Sequence, residues 1–334
     1  MTHRHNPHRG LDPLVDEIRR RNDPRLGIAF AWRFVDFIPK SLGSIRRIAE
    51  YFELACRIWG QRRRNTILVR EFSTYFFFLT LILVFPIRRK CLLLVAHNVQ
   101  TAAHRRREQN LLKLLARLGV RFACLESDEG LRQVLGVTDA VVFPHPVIAM
   151  EAIPGNATDP LSQIVVGVAG DLRPEKGLDL VIPYLVNALS AQPSVSFRLG
   201  TNRVAEASQR WPSADIADTT APQDYLAFLQ SIDLLVLSYP DETYRYRVSG
   251  VIAEATGCGT AVICTDLPCL RMQVMSPAKG GAVLALESFV TETLLDTIRD
   301  LSAMQPQLQR ALAENARARA PDRVVELILA QLSG

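Results

Sequence analysis

Short apolar runs alternate with amphipathic stretches along most of this chain. In the second half, runs at Ile164–Ala169, Val195–Leu199, Asp233–Ser238, Ala261–Thr265 and Ala282–Leu286 predict strands. The stretches between them predict helices over 178–190, 222–231, 250–257 and 288–303, with a last one near 322–332. In helix 178–190, Leu178, Val181, Ile182, Leu185 and Leu189 fall on one face. Strands that alternate with helices in this way predict an α/β fold with a doubly wound parallel sheet. In the first half, Thr66–Arg70, Cys91–Asn98, Val120–Leu125 and Ala140–Phe143 read as strands, and Leu11–Arg21 and 102–118 as helices. The second of these helices carries Leu111, Leu112, Leu114, Leu115 and Leu118 on its apolar side.

The most apolar stretch is Phe72–Ile87, FSTYFFFLTLILVFPI, which spans 16 residues and meets Pro86 near its end. That is short of the roughly 20 residues a membrane-crossing helix needs. It sits between two predicted strands, so it reads as the helix of a βαβ unit, packed on a sheet or resting on a membrane surface rather than inserted. The segment Pro144–Pro160 holds four prolines and one glycine and reads as a linker. It divides the chain into two domains, 1–150 and 151–334.

A length of 334 residues allows two such domains, and 48% hydrophobic with 22% charged residues is ordinary globular usage. No two of the six cysteines form a C-x-x-C pair, which argues against a zinc ribbon and for reduced, mostly buried thiols in a cytosolic setting. The first residues, MTHRHNPHRG, contain no apolar run of the secretory type. The net charge of +5 conceals a split, with +12 in residues 1–150 and −7 in 151–334. Arginine clusters at Arg19–Arg21, Arg62–Arg64, Arg88–Lys90 and Arg105–Arg107 all lie in the basic half. They read either as solvated faces or, with the aromatic run Tyr75–Phe78, as a surface for an anionic membrane. No nucleic-acid-binding module is recognisable, so no nucleic acid is expected as a partner. The expected location is cytoplasmic, peripheral on the inner face of the cell membrane.

Two segments carry candidate chemistry. In the first, strand Ile164–Ala169 ends in Gly170, a loop holds Arg173 and Lys176, and a helix opens after Gly177. In open α/β sheets ligands sit beyond the carboxyl ends of strands, and a helix N-terminus there offers free N–H groups to a phosphate. Two cations three residues apart add charge for a diphosphate; the plainer alternative is a solvated glycine turn. Neither a Walker loop nor a G-x-G-x-x-G fingerprint is present. In the second segment, Ser249 is placed to cap a helix that opens at Gly250. Glu254 is the sole charge between Val251 and Cys264. An ionised carboxylate in an apolar helix needs a partner, and a sugar diol suits it; the alternative places Glu254 on an exposed face. Gly257 and Gly259 are expected to end this helix and let it pack closely on strand 261–265.

These two segments, in this order and spacing, resemble the nucleotide-sugar half of the retaining GT-B glycosyltransferases. The matching residues are Gly170…Lys176-Gly177 and Ser249-Gly250-Val-Ile-Ala-Glu254-Ala-Thr-Gly-Cys-Gly259-Thr, and the match covers about 163–290. The first half is similar more loosely, through Val95-Ala-His97-Asn98 and through Phe143-Pro-His145-Pro at the start of the linker. The resemblance implies two Rossmann-like domains around an interdomain cleft, with the last helix returning toward the first domain. It implies that Gly170, Arg173, Lys176, Arg247, Ser249, Gly250 and Glu254 bind the donor. Arg173 and Lys176 would hold the diphosphate, Ser249 and Gly250 the distal phosphate or sugar, and Glu254 the ribose. His97 would face the transferred sugar, a structural role being its alternative; His145 is read as structural. His97, Arg173 and Lys176 form the catalytic set.

Three departures qualify the likeness. Asp171 stands where a cation often follows the first glycine. Tyr246 stands eight positions before Glu254, where many members carry an acid. The chain begins near the helix that usually follows the first strand, so the N-terminal domain reads as shortened. The expected activity is transfer of a sugar, with retention, from a nucleotide-diphosphate donor to a lipid-linked or polysaccharide acceptor. With no Asp-x-Asp in the sequence, a metal-independent site without a cofactor is expected. An epimerase of the same fold, or a degenerate member that binds nucleotide-sugar without turnover, are the alternatives.

Overall fold

The computed structural model describes residues 11–29, 43–70, 72–95, 97–150, 164–170, 172, 176–190, 192 and 194–333, the side chains at 43–47, 76 and 79 excepted. The chain forms two compact units, one built on 11–144 with 321–333 and the other on 145–320.

In the first unit five parallel strands lie side by side in chain order: β1 (Leu26–Ala29), β2 (Thr66–Val69), β3 (Cys91–Leu94), β4 (Arg121–Leu125) and β5 (Ala140–Phe143). Helix α1 (Asp12–Arg21) precedes β1, and α2 (Gly43–Gly60), α3 (Thr74–Val84), α4 (Asn98–His104) and α5 (Arg106–Arg117) fill the crossovers. Every residue of β2 and β3 is buried, as in a sheet covered on both faces. The apolar run Phe72–Ile87 is the βαβ helix its pattern predicts; Pro86 lies in a 3₁₀ turn, Phe85–Lys90, that leads into β3. The helix predicted over 102–118 is broken instead, because Arg105 is extended (φ −129°, ψ 100°) and separates α4 from α5. In α5, Leu112 and Leu115 are buried and Leu114 points to solvent.

The second unit has six parallel strands: β6 (Ile164–Ala169), β7 (Val195–Thr201), β8 (Asp215–Asp218), β9 (Leu234–Leu237), β10 (Ala261–Thr265) and β11 (Gly281–Leu284). Their order is β11-β10-β9-β6-β7-β8. The helices are α6 (Leu178–Ser190), α7 (Val204–Arg210), α8 (Pro222–Gln230), α9 (Asp241–Tyr244), α10 (Gly250–Cys258), α11 (Pro268–Met275), α12 (Glu292–Ala303) and α13 (Gln305–Ala318). Alternate strand residues feed two cores. Val166, Val168, Leu234, Val236 and Ile263 meet α6, α12 and α13 on one face. Leu235, Leu237, Val262 and Cys264 meet α8, α10 and α11 on the other. This is the doubly wound parallel sheet that the alternation predicts. The five α6 residues placed on one face are all buried. The last helix, α14 (Pro321–Ser333), packs on α1 and β5, and the Gln331 amide exchanges hydrogen bonds with the Val142 backbone (3.0 and 2.6 Å).

Four of the six cysteines are buried, and burial alone pushes the Cys91 thiol up to about 12; Cys56 is exposed. Among the described residues no helix is long and apolar enough to cross a membrane.

Leu185 is fully buried in the α6 core. Leu185→Ala is expected to destabilise the chain by about 2–5 kcal/mol through lost transfer energy and the cavity left behind, read by denaturant unfolding.

Candidate functional site

From β6 the chain winds outward through β7 to β8, then returns to place β9 on the opposite side of β6. Strand order therefore reverses between β6 and β9. The crevice beyond the carboxyl ends of two such strands is where open α/β sheets bind ligands, and both candidate segments converge there.

Directly after β6, Gly170 adopts φ +131°. A Cβ at this position would stand 2.5 Å from Lys176 Nζ, so the lysine lies over the bare glycine backbone. Lys176 is buried. The next residue, Gly177, has φ +66°, and a Cβ there would run into the Ser238 carbonyl oxygen. The buried Ser238, just past β9, donates its hydroxyl to the Gly177 carbonyl at 3.1 Å. One hydrogen bond and one close backbone approach thus tie the loop after β6 to the end of β9. Asp171 and Arg173 lie outside the described residues.

Past Ser238, Tyr239 is buried and its ring stacks on Tyr244 (3.9 Å between centroids, 6° between planes). The Tyr239 hydroxyl lies 3.2 Å from Ser249 Oγ. Ser249 caps α10 as its sequence position predicts, its Oγ accepting from the Ile252 N–H at 3.4 Å. The buried Gln273 side chain of α11 holds the same residue from both sides. Its Oε1 accepts from the Ser249 N–H at 2.8 Å, and its Nε2 donates to the Ser249 carbonyl at 3.0 Å. At the first position of α10, no atom of the described residues, apart from its chain neighbours and its own helix backbone, lies within 4 Å of where a Gly250 Cβ would stand. An open helix N-terminus, with its unshared N–H groups and positive dipole end, therefore faces this space. Arg247 sits two residues before Ser249, and its Nε is buried without a hydrogen-bond partner among the described residues. A guanidinium N–H in that condition is costly to the protein alone and matches an incoming anion.

Glu254 lies one turn into α10 from Gly250, on the same side of the helix. Its side chain is half-buried, which sets aside the alternative that placed Glu254 on an exposed face. Tyr225 of α8 donates its hydroxyl to Glu254 Oε2 at 2.9 Å. Desolvation pushes the Glu254 pKa up, while the Tyr225 hydrogen bond and the Lys176 charge oppose that shift. A carboxylate has about four acceptor directions, so one tyrosine leaves room for a diol. The expectation for Gly257 is corrected. Only Gly259 ends the helix, in the left-handed conformation (φ +78°). Gly257 is helical and turns its bare Cα toward the 144–150 segment, where the Met150 N–H donates to the Gly257 carbonyl at 2.8 Å.

The structure thus gathers Gly170, Lys176, Ser249, Gly250 and Glu254 at one sheet edge, with Arg247 beside them. His97 belongs to the other unit, near the carboxyl end of β3, where it is half-buried and opens α4. His145 is buried, with its Nδ1 donating to the Pro146 carbonyl at 2.9 Å, a structural placement. Asp241, close to Tyr246 in sequence, is engaged by Arg245 at 2.9 Å. Among the described residues no three His, Cys, Asp or Glu side chains gather as metal ligands.

Sequence reasoning missed Tyr225, Tyr239 and Gln273 as parts of this site, along with the tie made by Ser238. Ser238 and Tyr239 had a readable signal, since they close a wholly apolar strand with two hydroxyls at its carboxyl end. Tyr225 and Gln273 reach the site from other helices, 29 and 24 residues away in sequence from Glu254 and Ser249.

Because the folded state raises the Glu254 pKa, it holds that proton to higher pH than the unfolded chain does. The contribution to stability is therefore lost as pH rises above the ordinary carboxylate range through the raised value. Glu254→Gln keeps an acceptor for Tyr225 and removes the titration. The melting temperature of the variant minus that of the native chain is expected to grow as pH is raised from 4 into the neutral range. A difference that does not change with pH would contradict the burial argument.

No family model matches the sequence, and no curated protein matches it. Solved structures do share the fold. HepE of Anabaena, in complex with UDP, aligns over 99% of this chain and 96% of its own, at 18% identity and a TM-score of 0.64. Sucrose-phosphate synthase of Thermosynechococcus elongatus aligns over 89% of this chain and 79% of its own, at 15% identity and a TM-score of 0.56. TarM, known from S. aureus, aligns over 85% of this chain at 14% identity and a TM-score of 0.58, and this chain spans 58% of TarM's length. At such identities the likeness is one of fold: the chain has the two parallel-sheet α/β domains of the GT-B architecture.

Proposed function

We propose that the chain is a glycosyltransferase that takes a sugar from a nucleoside diphosphate donor. The observation that carries this reading is the switch-point crevice itself. It combines a buried lysine, an open helix N-terminus and, two residues before the cap of that helix, a guanidinium with a buried N–H that has no partner among the described residues, and a carboxylate lies one helical turn further in. A diphosphate needs the first three and a ribose diol the fourth. Lys176 and Arg173 take the diphosphate, with Arg247 and the N–H groups at Gly250 beside them, and Glu254 takes the ribose hydroxyls. The complexes of HepE with UDP and with UDP-glucose make uridine nucleotides the first donors to test.

In the reaction, the bond from the anomeric carbon to the diphosphate oxygen breaks, and the acceptor oxygen bonds to the same carbon. With retention, attack comes from the face the diphosphate leaves, and the acceptor proton passes to the departing phosphate. No side-chain base is then required, and His97 orients the transferred sugar. The positive groups stabilise charge as it grows on the leaving oxygen. The acceptor is lipid-linked or a polysaccharide, presented at an anionic membrane on the cytoplasmic side. A binding-only reading rests on Tyr246, which replaces an acid at the sugar end of the site.

Lys176→Ala is expected to weaken UDP binding about 10–100-fold, the equivalent of one charge-assisted hydrogen bond. Calorimetric titration reads this, and equal affinity in the variant would sink the assignment. Release of UDP from UDP-glucose that requires an acceptor separates transfer from epimerisation and from binding without turnover.

A further inference from the structure

Helix α3, TYFFFLTLILV, is apolar all round apart from its threonines. Such a helix is ordinarily buried on every side. Here Phe77, Leu81 and Val84 are buried in the first unit, while on the opposite side of α3, among the described residues, Tyr75, Ile82 and Phe85 are exposed. Tyr75, half-buried Phe78, Ile82 and Phe85 follow one another at steps of three and four residues, so they form one stripe; Ile82 is 73% exposed. Neighbouring α2 repeats the pattern with Ile48, Phe52 and Cys56, and Phe52 is 60% exposed. The two helices pack against each other, and Trp59 Nε1 of α2 donates to the Leu83 carbonyl of α3 at 2.9 Å. Right-handed crossovers between sequential parallel strands put both on one face of the sheet.

Cations collect at the carboxyl ends of the same two helices. Lys90 Nζ donates to the Arg62 carbonyl at 2.9 Å, which joins the turn after α2 to the turn after α3. Arg62, Arg63 and Arg89 are exposed there, and the Arg88 guanidinium lies 3.9 Å over the Phe85 ring. From Leu54 to Arg107 the sequence has eleven cations and one acid, Glu71. By contrast, the Arg19–Arg21 cluster is neutralised within its unit: Glu17 pairs with Arg20 and Arg21 at 2.7 Å, and Glu326 with Arg21 at 3.2 Å.

We propose that the outer face of α2 and α3 docks on an anionic lipid bilayer. Phe52, Ile82 and Phe85 enter the headgroup boundary, and Arg62, Arg63 and Arg89 meet lipid phosphates. This rests on the membrane-facing reading above and names the surface that carries it. An exposed apolar stripe bordered by cations fits a bilayer of opposite charge. A second copy of this chain would bring the same cations face to face.

The test is flotation of the full chain with vesicles of phosphatidylcholine, with and without phosphatidylglycerol. The native chain is expected to float with the anionic vesicles. Phe52→Ser with Ile82→Ser should reduce binding at least tenfold, and so should Arg62→Glu with Arg63→Glu. Leu180→Ser, which removes an exposed leucine from the other unit, should change nothing. All these positions are at the surface, and an unchanged melting curve and UDP affinity show that each variant is folded. If the native chain floats and both double variants float equally well, the face is wrong although membrane binding stands. If the native chain does not float, both the face and the membrane reading fall, and UDP binding is untouched. A dimer that forms without lipid, and that the Phe52 and Ile82 substitutions dissolve, would also overturn the proposal.

Discussion

The second sheet reverses its strand order between β6 and β9, and the candidate site depends on what holds those two strand ends together. Two strands that part company at a crevice leave backbone groups that must be satisfied by something. Here the Ser238 hydroxyl bonds the Gly177 carbonyl at 3.1 Å, and the glycine backbone lies close against β9. That tie fixes where α6 begins and lays Lys176 across Gly170. If the tie were lost, the lysine would lose its place at the floor of the crevice.

The far wall is fixed by a different device. Gln273 grips both the N–H and the carbonyl of Ser249, while Tyr239 approaches the Ser249 hydroxyl. The residue that starts α10 is therefore held from three directions, and the N-terminus it opens is presented rigidly. Glu254 follows one turn later under opposing influences. Burial favours its neutral form, while Tyr225 and Lys176 favour the charged form. A ligand bringing two hydroxyls would add to the second side of that balance.

Much of this was legible in the sequence where pattern and chemistry agree. The α6 face, the wholly apolar β9, the buried β10, the Ser249 cap and the glycines at 170 and 177 all follow from local rules. What was not legible has physical causes. Strand β8, DIAD, is a polar edge strand with no residue fully buried, so it lacks an apolar run. Helices α7 and α11 are only 7 and 8 residues long, too short for a clear period. The break at Arg105 is a backbone event in a polar stretch ahead of the leucines, where no apolar period marks it. Tyr225 and Gln273 join the site through tertiary packing, which no local spacing encodes. Which side of α3 is exposed was not legible, because its sequence has no polar side to mark it.

All of this geometry converges on one expectation for the molecule, that a nucleoside diphosphate binds at the β6–β9 switch point. A crystal structure of the chain with UDP tests it most directly. Diphosphate oxygens are expected within hydrogen-bonding distance of Lys176 Nζ and of the N–H groups at the start of α10, with the ribose hydroxyls on Glu254. A nucleotide bound elsewhere on the chain, with Lys176 and Glu254 making no contact to it, would contradict it.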